Sequence, residues 1–371
     1  MRTTVRPRKL WRKRKSSREL TKANIQLTEI MNKLFFSLTL LVASVAKVAA
    51  ADAMGVIIYT EPISKQEDVL KVWITAASTT QIEYKTTPQS LNRTRLKRSA
   101  IKSIYFFEPP VFKEAMELYE SRDYRGARDK FAECKEAYDK LDNIKGNYST
   151  LAGFYEMETC RKIFDLEALN KLLDVYQADT LQREHQLNQL EVYPVWDAVR
   201  TKSWSRLDAL ATEIVVKKQW IGEHLAQIKY CHGLALEGLG RDTDALIAFS
   251  GAFTADYTAS EELTQAAALA CLRVIKANDE VRLAIQLWGT EDEDPNAPGY
   301  FLLQEAVALC DLWKKSLGSG KPLPSEYSSF LRYREDNKPK PKPKAAAEKP
   351  AEKPAEKPAE ENGEGADEPE S

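Results

Sequence analysis

Histidine is scarce in this chain of 371 residues, and none of the three, His185, His224 and His232, stands in an H-E-x-x-H spacing. All three fall on predicted helices, where a surface or internally satisfied imidazole is the expectation. The sequence also lacks a G-x-G-x-x-G run and a G-x-S-x-G elbow, so nucleotide folds and serine hydrolases lose their usual signatures. Gly318-Ser319-Gly320-Lys321 looks like a phosphate loop at a glance. It fails because Pro322 replaces the Mg-binding Ser or Thr and Lys315 stands where the first glycine belongs. The five cysteines, Cys134, Cys160, Cys231, Cys271 and Cys310, form no C-x-x-C pair and are odd in number. They sit in helical patterns beside Ala, Leu or Tyr, which reads as buried small thiols rather than a disulfide or metal framework. The acidic run Glu291 to Asp294 lacks the alternating ligands and internal glycine of a calcium loop. Catalytic residues, metal ligands and cofactors are therefore not expected.

The formal net charge of -1 averages two unlike parts. The first 50 residues hold 12 Lys and Arg against 2 Asp and Glu, which leaves 42 basic and 53 acidic residues in the rest. An acidic body argues against nucleic acid, which needs phosphate-neutralising Lys and Arg. Residues 1–30 are a basic extension without a folding pattern, readable as an over-extended start. Residues 31–50, MNKLFFSLTLLVASVAKVAA, have a short positive head, an apolar stretch from Leu34 to Ala46 and small residues at Val48 and Ala50. That is the pattern of a secretory signal peptide cut near Ala50, and it predicts a periplasmic or secreted protein. The alternative is an uncleaved anchor with a basic arm. No cysteine lies beside the cut, which excludes a bacterial lipoprotein.

From residue 54 to 108 the period is two. Val56 to Tyr59, Val69 to Ile74, Gln81 to Lys85 and Ile104 to Phe107 are β-branched and aromatic runs separated by polar turns. Four or five short strands predict a small barrel or strongly twisted sheet, and the pattern looks like an SH3-like module. Arg93, Arg95, Lys97 and Arg98, with Lys102, form a basic patch on it that could face an anionic polymer or partner.

After Pro109-Pro110 the period becomes helical. Ala115, Leu118 and Tyr119, then Tyr124, Ala127, Phe131 and Cys134, describe two amphipathic helices around a polar Ser121-Arg122-Asp123 turn. Ala127, Phe131 and Cys134 are spaced as in the tetratricopeptide repeat, and the stretch resembles that family. Aligning on the second helix gives Ala127, Leu169, Leu207, Ala245 and Ala284, spaced by 42, 38, 38 and 39 residues. One such hairpin cannot bury its own apolar face, so the near-constant period predicts stacked copies. The fourth copy matches best, with Gly233, Leu236, Ala245, Phe249 and Ala252, and Gly240 ending its first helix. The expected fold is mainly α: a tetratricopeptide-like solenoid of about five helix pairs over 110–317, capped by a helix from Tyr300 to Leu317. It follows the small β module at 54–108. From residue 337 the chain is rich in Lys, Pro, Ala and Glu, which predicts a disordered tail.

In the proteins it resembles, the first helix of each repeat lines a concave groove. Carried over residue by residue, that implies Phe112, Met116 and Tyr119, then Phe154, Arg161 and Lys162, then Trp196 and Arg200. Tyr230 and Glu237 follow in the fourth copy, and Arg273 and Lys276 in the fifth. Aromatics interspersed with Arg would suit a peptide partner carrying carboxylates. The expectation is thus an exported, non-catalytic protein–protein scaffold. The alternatives are an accessory subunit of an envelope enzyme or secretion machine, and a wall or glycan binder acting through the basic β module.

Overall fold

The computed structural model describes residues 51–61, 63–256 and 261–338. The basic extension, the predicted signal segment and the tail from residue 339 lie outside the described residues. The described chain is mainly helical, with one five-stranded antiparallel sheet at its N-terminal side.

The strands are β1 (Ala53–Thr60), β2 (Glu67–Ala77), β3 (Gln81–Lys85), β4 (Thr94–Lys97) and β5 (Ile101–Phe106). A single 3-10 turn, Arg98–Ala100, separates the last two. Sheet order is β4-β3-β2-β1-β5, so β4 and β5 are the two edges and do not pair with each other. Alternation decides the faces. Ala53 and Ile57 of β1 point inward with Val72, Ile74, Ile82 and Tyr84, all buried. Met54, Val56 and Ile58 point outward, opposite Trp73, Lys71 and Val69. Gly55 lets β5 come close, since a Cβ there would stand 2.9 Å from the Tyr105 carbonyl. Irregularities at Ile58/Tyr59 and Ile74/Ala76 bend the sheet.

Eleven α-helices follow among the described residues: α1 (Pro110–Glu120), α2 (Tyr124–Ala137), α3 (Tyr148–Lys162), α4 (Leu166–Leu173), α5 (Glu184–Arg200) and α6 (Trp204–Lys217), then α7 (Gly222–Gly238), α8 (Asp242–Ala255), α9 (Glu261–Ala277), α10 (Asp279–Leu287) and α11 (Pro298–Leu312). The first eight form four hairpins closed by one and the same turn. Arg122, Phe164, Lys202 and Gly240 each sit two residues before the second helix with φ of 67°, 57°, 52° and 74°. In each turn the next residue's N–H reaches back five positions, to Leu118, Cys160, Ala198 and Leu236, at 2.9–3.0 Å. The left-handed residue itself bonds three positions back, to Tyr119, Arg161, Val199 and Glu237. These are the two bonds of a Schellman stop, which satisfies the last carbonyls of the outgoing helix. Asp123 and Asp165 then cap the incoming helix by accepting from Gly126 and Ala168 N–H. The turn residues repeat at spacings of 42, 38 and 38, in step with Ala127, Leu169, Leu207 and Ala245, which are 0–3% exposed.

Small residues mark the closest helix approaches. A Cβ on Gly233 of α7 would lie 2.5 Å from the Phe249 ring of α8, and one on Gly238 would lie 2.6 Å from Trp204 of α6. α3 is enclosed nearly all round, burying Ser149, Thr150, Glu156, Glu158, Arg161 and Lys162 along with its apolar residues.

The described chain divides into two compact units, the first ending at Ala267 and the second beginning at Ala268, both within α9. In the first unit the sheet has no core of its own. Ile57, Val72, Ile74 and Ile82 share one with Phe112, Ala115, Ala127, Phe131 and Cys134. Asn143 donates to the Ala77 carbonyl at 3.0 Å and accepts from Arg98, while Ala51 N–H reaches the Ala137 carbonyl at 2.8 Å. The break at Pro109-Pro110 therefore separates strands from helices without separating two cores. At the far end of this unit, Arg122 pairs with Glu261 and the Tyr124 hydroxyl donates to Glu262, 138 residues away.

In the second unit, Leu272, Val281, Leu303, Ala306, Cys310, Trp313 and Phe330 are buried. Gly299 of α11 rests on the main chain of Glu280, which a Cβ would meet at 2.2 Å. α11 continues through a π turn, Trp313–Leu317, and ends at Ser319 and Gly320, both left-handed. The phosphate-loop look-alike is thus a helix stop, tied by Trp313 Nε1 to the Lys321 carbonyl at 3.1 Å.

Candidate functional site

The inner residues of α3, α5 and α7 in the first unit are polar, buried and bonded to one another. Arg161 is 2% exposed and grips Glu158 through Nε and Nη2 at 2.9 and 2.7 Å. Its Nη2 also reaches Glu223 at 2.5 Å, where Lys162 Nζ arrives at 2.7 Å. Tyr193 closes the set by donating its hydroxyl to Glu158 at 2.8 Å. Burial alone would lower the Arg161 pKa, but the flanking Glu158 and Glu223 carboxylates override it and raise it well above the ordinary value. Burial first, then Glu158, pushes the Tyr193 and Tyr119 hydroxyls up. Beside this network, Gln189 and Gln227 exchange amide hydrogen bonds at 2.9 and 2.8 Å, and Trp196 Nε1 donates to Gln227 Oε1 at 2.8 Å. Such a network is worth having only when every member is satisfied, and these are.

The residues expected to line a groove therefore separate. Arg161 and Trp196 are interior and satisfied, so neither offers a donor to a ligand. Phe112 and Phe154 are core residues at 4% and 3% exposure. Tyr119 is half-buried among Tyr124, Phe131 and Tyr155, with centroids 5.4–6.3 Å apart. Tyr230 is brought to Trp196 at 6.0 Å and to Phe164 at 6.1 Å, forming an aromatic cluster. Arg200 remains at the surface, engaged by Asp197 at 2.8 Å and Glu167 at 3.3 Å. Arg273 is exposed in the second unit. Periodicity places all of these on one helical face. It cannot show that Glu158 and Glu223 lie opposite Arg161.

The basic β patch also divides. Arg93 and Arg95 converge on Glu83, at 3.7 and 2.8 Å, across the β3–β4 pair. Lys97 is exposed on the edge strand, and Arg98 turns toward Asn143. What the sheet shows on its outer face was not foreseen from the sequence. Val69, Tyr105 and Phe107 are 60%, 61% and 47% exposed there, next to half-buried Met54, Val56, Ile58 and Trp73. Register puts them together: Ile58 faces Val69, Val56 faces Tyr105, and Phe107 N–H donates to the Met54 carbonyl at 2.9 Å. Lys71 Nζ lies 5.7 Å above the Phe107 ring.

All five cysteines are buried thiols with no disulfide between them, and burial raises the thiols of Cys134 to about 12 and of Cys310 to about 11. Among the described residues no three metal-ligating side chains gather, and no helix is long and apolar enough to cross a membrane. His232 is paired with Asp208 at 2.8 Å, while burial lowers His185 and His224. No protein-family model and no curated protein matches the chain.

Proposed function

We propose that this chain is an exported, non-catalytic protein–protein interaction scaffold, a tetratricopeptide-like helical array carrying an SH3-like β module. The repeated Schellman turns, the near-constant spacing and the small residues at the helix crossings support the array. An antiparallel meander with β5 returning beside β1, and a 3-10 turn before β5, supports the SH3-like reading. The bond from Ala51 to Ala137 is kept by a chain cut after Ala50, which suits the signal-peptide reading.

The observation that carries the function is the outer face of the sheet. Three exposed apolar side chains and four half-buried ones lie contiguously there, and a patch of that kind marks a protein contact. The inner helical face contributes stiffness instead, because its Arg161–Glu158 and Gln189–Gln227 groups are already paired. A photo-crosslinking residue replacing Tyr105 tests the proposal, with Val216, exposed on α6, as the control position. In cells making the full chain, a discrete protein adduct is expected at position 105 that is absent at 216. It should disappear when Val69 and Phe107 are both changed to Ser. Equal labelling at both positions, or none at either, overturns the proposal.

A further inference from the structure

β5 pairs on one side only, with β1. Hydrogen bonds in an antiparallel ladder alternate along each strand. Phe107 donates to Met54, and two steps back Tyr105 faces Val56, so these residues turn their main chain toward β1. Ile104 and Phe106 consequently turn their N–H and C=O outward, where no strand meets them among the described residues. Edges are usually blunted by a charge, a proline or a covering loop. Here Lys102 is the one charge on the strand, and a cleft of about 600 Å³ runs along its edge.

The chemistry of the cleft has two parts. Its floor is apolar, made by Ile82, Ile101, Ile104, Phe106 and Ile144. Its charged lining is Arg98, Lys102 and Lys145, with no Asp or Glu among the described residues. Lys102 is shared with Glu67, while Lys145 is exposed and has no partner among the described residues. Arg98 spends Nη1 and Nη2 on Asn143, but its Nε, shielded from solvent, has no acceptor among the described residues. An orphaned buried donor of this kind is uncommon in a finished structure.

From these observations we propose that the β5 edge binds an extended acidic peptide, which joins the sheet as a sixth strand. The outward amide and carbonyl groups of Ile104 and Phe106 match a peptide main chain, which presents the same pair at every second residue. Alternate side chains of the guest would enter the apolar floor, and its carboxylates would meet Arg98, Lys102 and Lys145. The cleft volume falls within the range of ligand sites. The proposal rests on the scaffold reading and names the partner's chemistry.

The test is calorimetric titration of the full chain with a capped octapeptide of alternating Val and Glu. Three comparison probes are the Val–Lys analogue, the Val–Glu peptide N-methylated at every second residue, and a glucuronate oligosaccharide. Only the unmodified Val–Glu peptide should bind. Ile104→Pro removes an outward N–H that the sheet does not use, and it should abolish binding. Because that change could disturb folding, Lys145→Glu at an exposed site is the second variant, expected to weaken binding about fivefold. Equal binding of the N-methylated peptide or the oligosaccharide means an anionic contact without strand addition, and it overturns the proposal. Binding of the Val–Lys peptide, or unchanged binding by Lys145→Glu, does the same. If no peptide binds while the crosslink at position 105 persists, the edge proposal falls and the scaffold stands. If both fail, both fall.

Discussion

Gly233 and Phe249 offer a sign test of the hairpin packing. Phe249 is fully buried, and its ring lies where a Cβ on Gly233 would stand, at 2.5 Å from two ring carbons. Tyr230, at 5.9 Å between centroids, helps to hold the ring in place. Phe249→Ala should cost about 3–5 kcal/mol, as a large-to-small core change. Gly233→Ala gains about 1 kcal/mol of helix propensity but must push the ring aside, an overpacking cost of about 1–3 kcal/mol. Alone it should be neutral to destabilising, by about 0–2 kcal/mol. In the Phe249→Ala background the obstacle is gone, and the same substitution should become stabilising by up to ~1 kcal/mol. The coupling energy is then about 1–3 kcal/mol, large enough to resolve by urea unfolding followed through tryptophan fluorescence at constant m. Two results would refute the reasoning. One is Gly233→Ala stabilising the parent protein; the other is an equal effect in both backgrounds.

Other expectations follow from the same geometry. Arg161→Met leaves buried Glu158 and half-buried Glu223 without their main partner and should cost about 3–5 kcal/mol, whereas Arg200→Ala, at a surface pair, should move the melt far less; thermal melts compare them. Lys202→Gly relieves a left-handed non-glycine residue and should stabilise by about 0.5–1 kcal/mol, while Gly240→Ala should destabilise by about 1–2 kcal/mol at the equivalent turn. The raised thiols of Cys134 and Cys310 hold protons that the unfolded chain releases near pH 8.5. Their contribution is therefore complete below that pH and is lost as pH rises toward about 11 for Cys310 and about 12 for Cys134, so urea midpoints should fall progressively above pH 8.5. For export, N-terminal sequencing of the cellular protein should begin near Ala51, and a start before Met31 would refute cleavage.

Some of this was legible in the sequence and some was not. The positions Ala127, Leu169, Leu207 and Ala245 could be read because each lies where two helices meet and only small or apolar side chains fit. Strands were legible for a similar reason, since alternation exposes one face and buries the other. The aspartates Asp123 and Asp165, each three residues before an amide that needs an acceptor, could have located the hairpin turns. Arg161 could not be placed. A charged residue one turn from Glu158 has the same periodicity on a solvent face as inside a satisfied network, and what decides is Glu223, 62 residues further on. Arg93 and Arg95 posed the same difficulty, because their partner Glu83 is fixed only by the register of β3 on β4. The apolar outer face of the sheet was hidden by its own alternation, as Tyr105 and Phe107 read equally well as inward residues until β1 fixes which side is which.

The bonds from Arg122 and Tyr124 to Glu261 and Glu262 have a consequence in time rather than in space. Ribosomes add about 5–20 residues per second. Tyr124 is thus made roughly 7–28 s before Glu262, the residue 138 positions later that it binds. During that interval the tip of the first hairpin carries an unpaired guanidinium and a Tyr hydroxyl awaiting its acceptor. Loop closure over so long a stretch comes late, after the local hairpins have formed. The first unit should therefore fold in two stages, with turns and hairpins ahead of a slower closing step. Glu262→Gln would mark that second stage, acting on the folding rate of the whole unit while leaving its early helix formation unchanged.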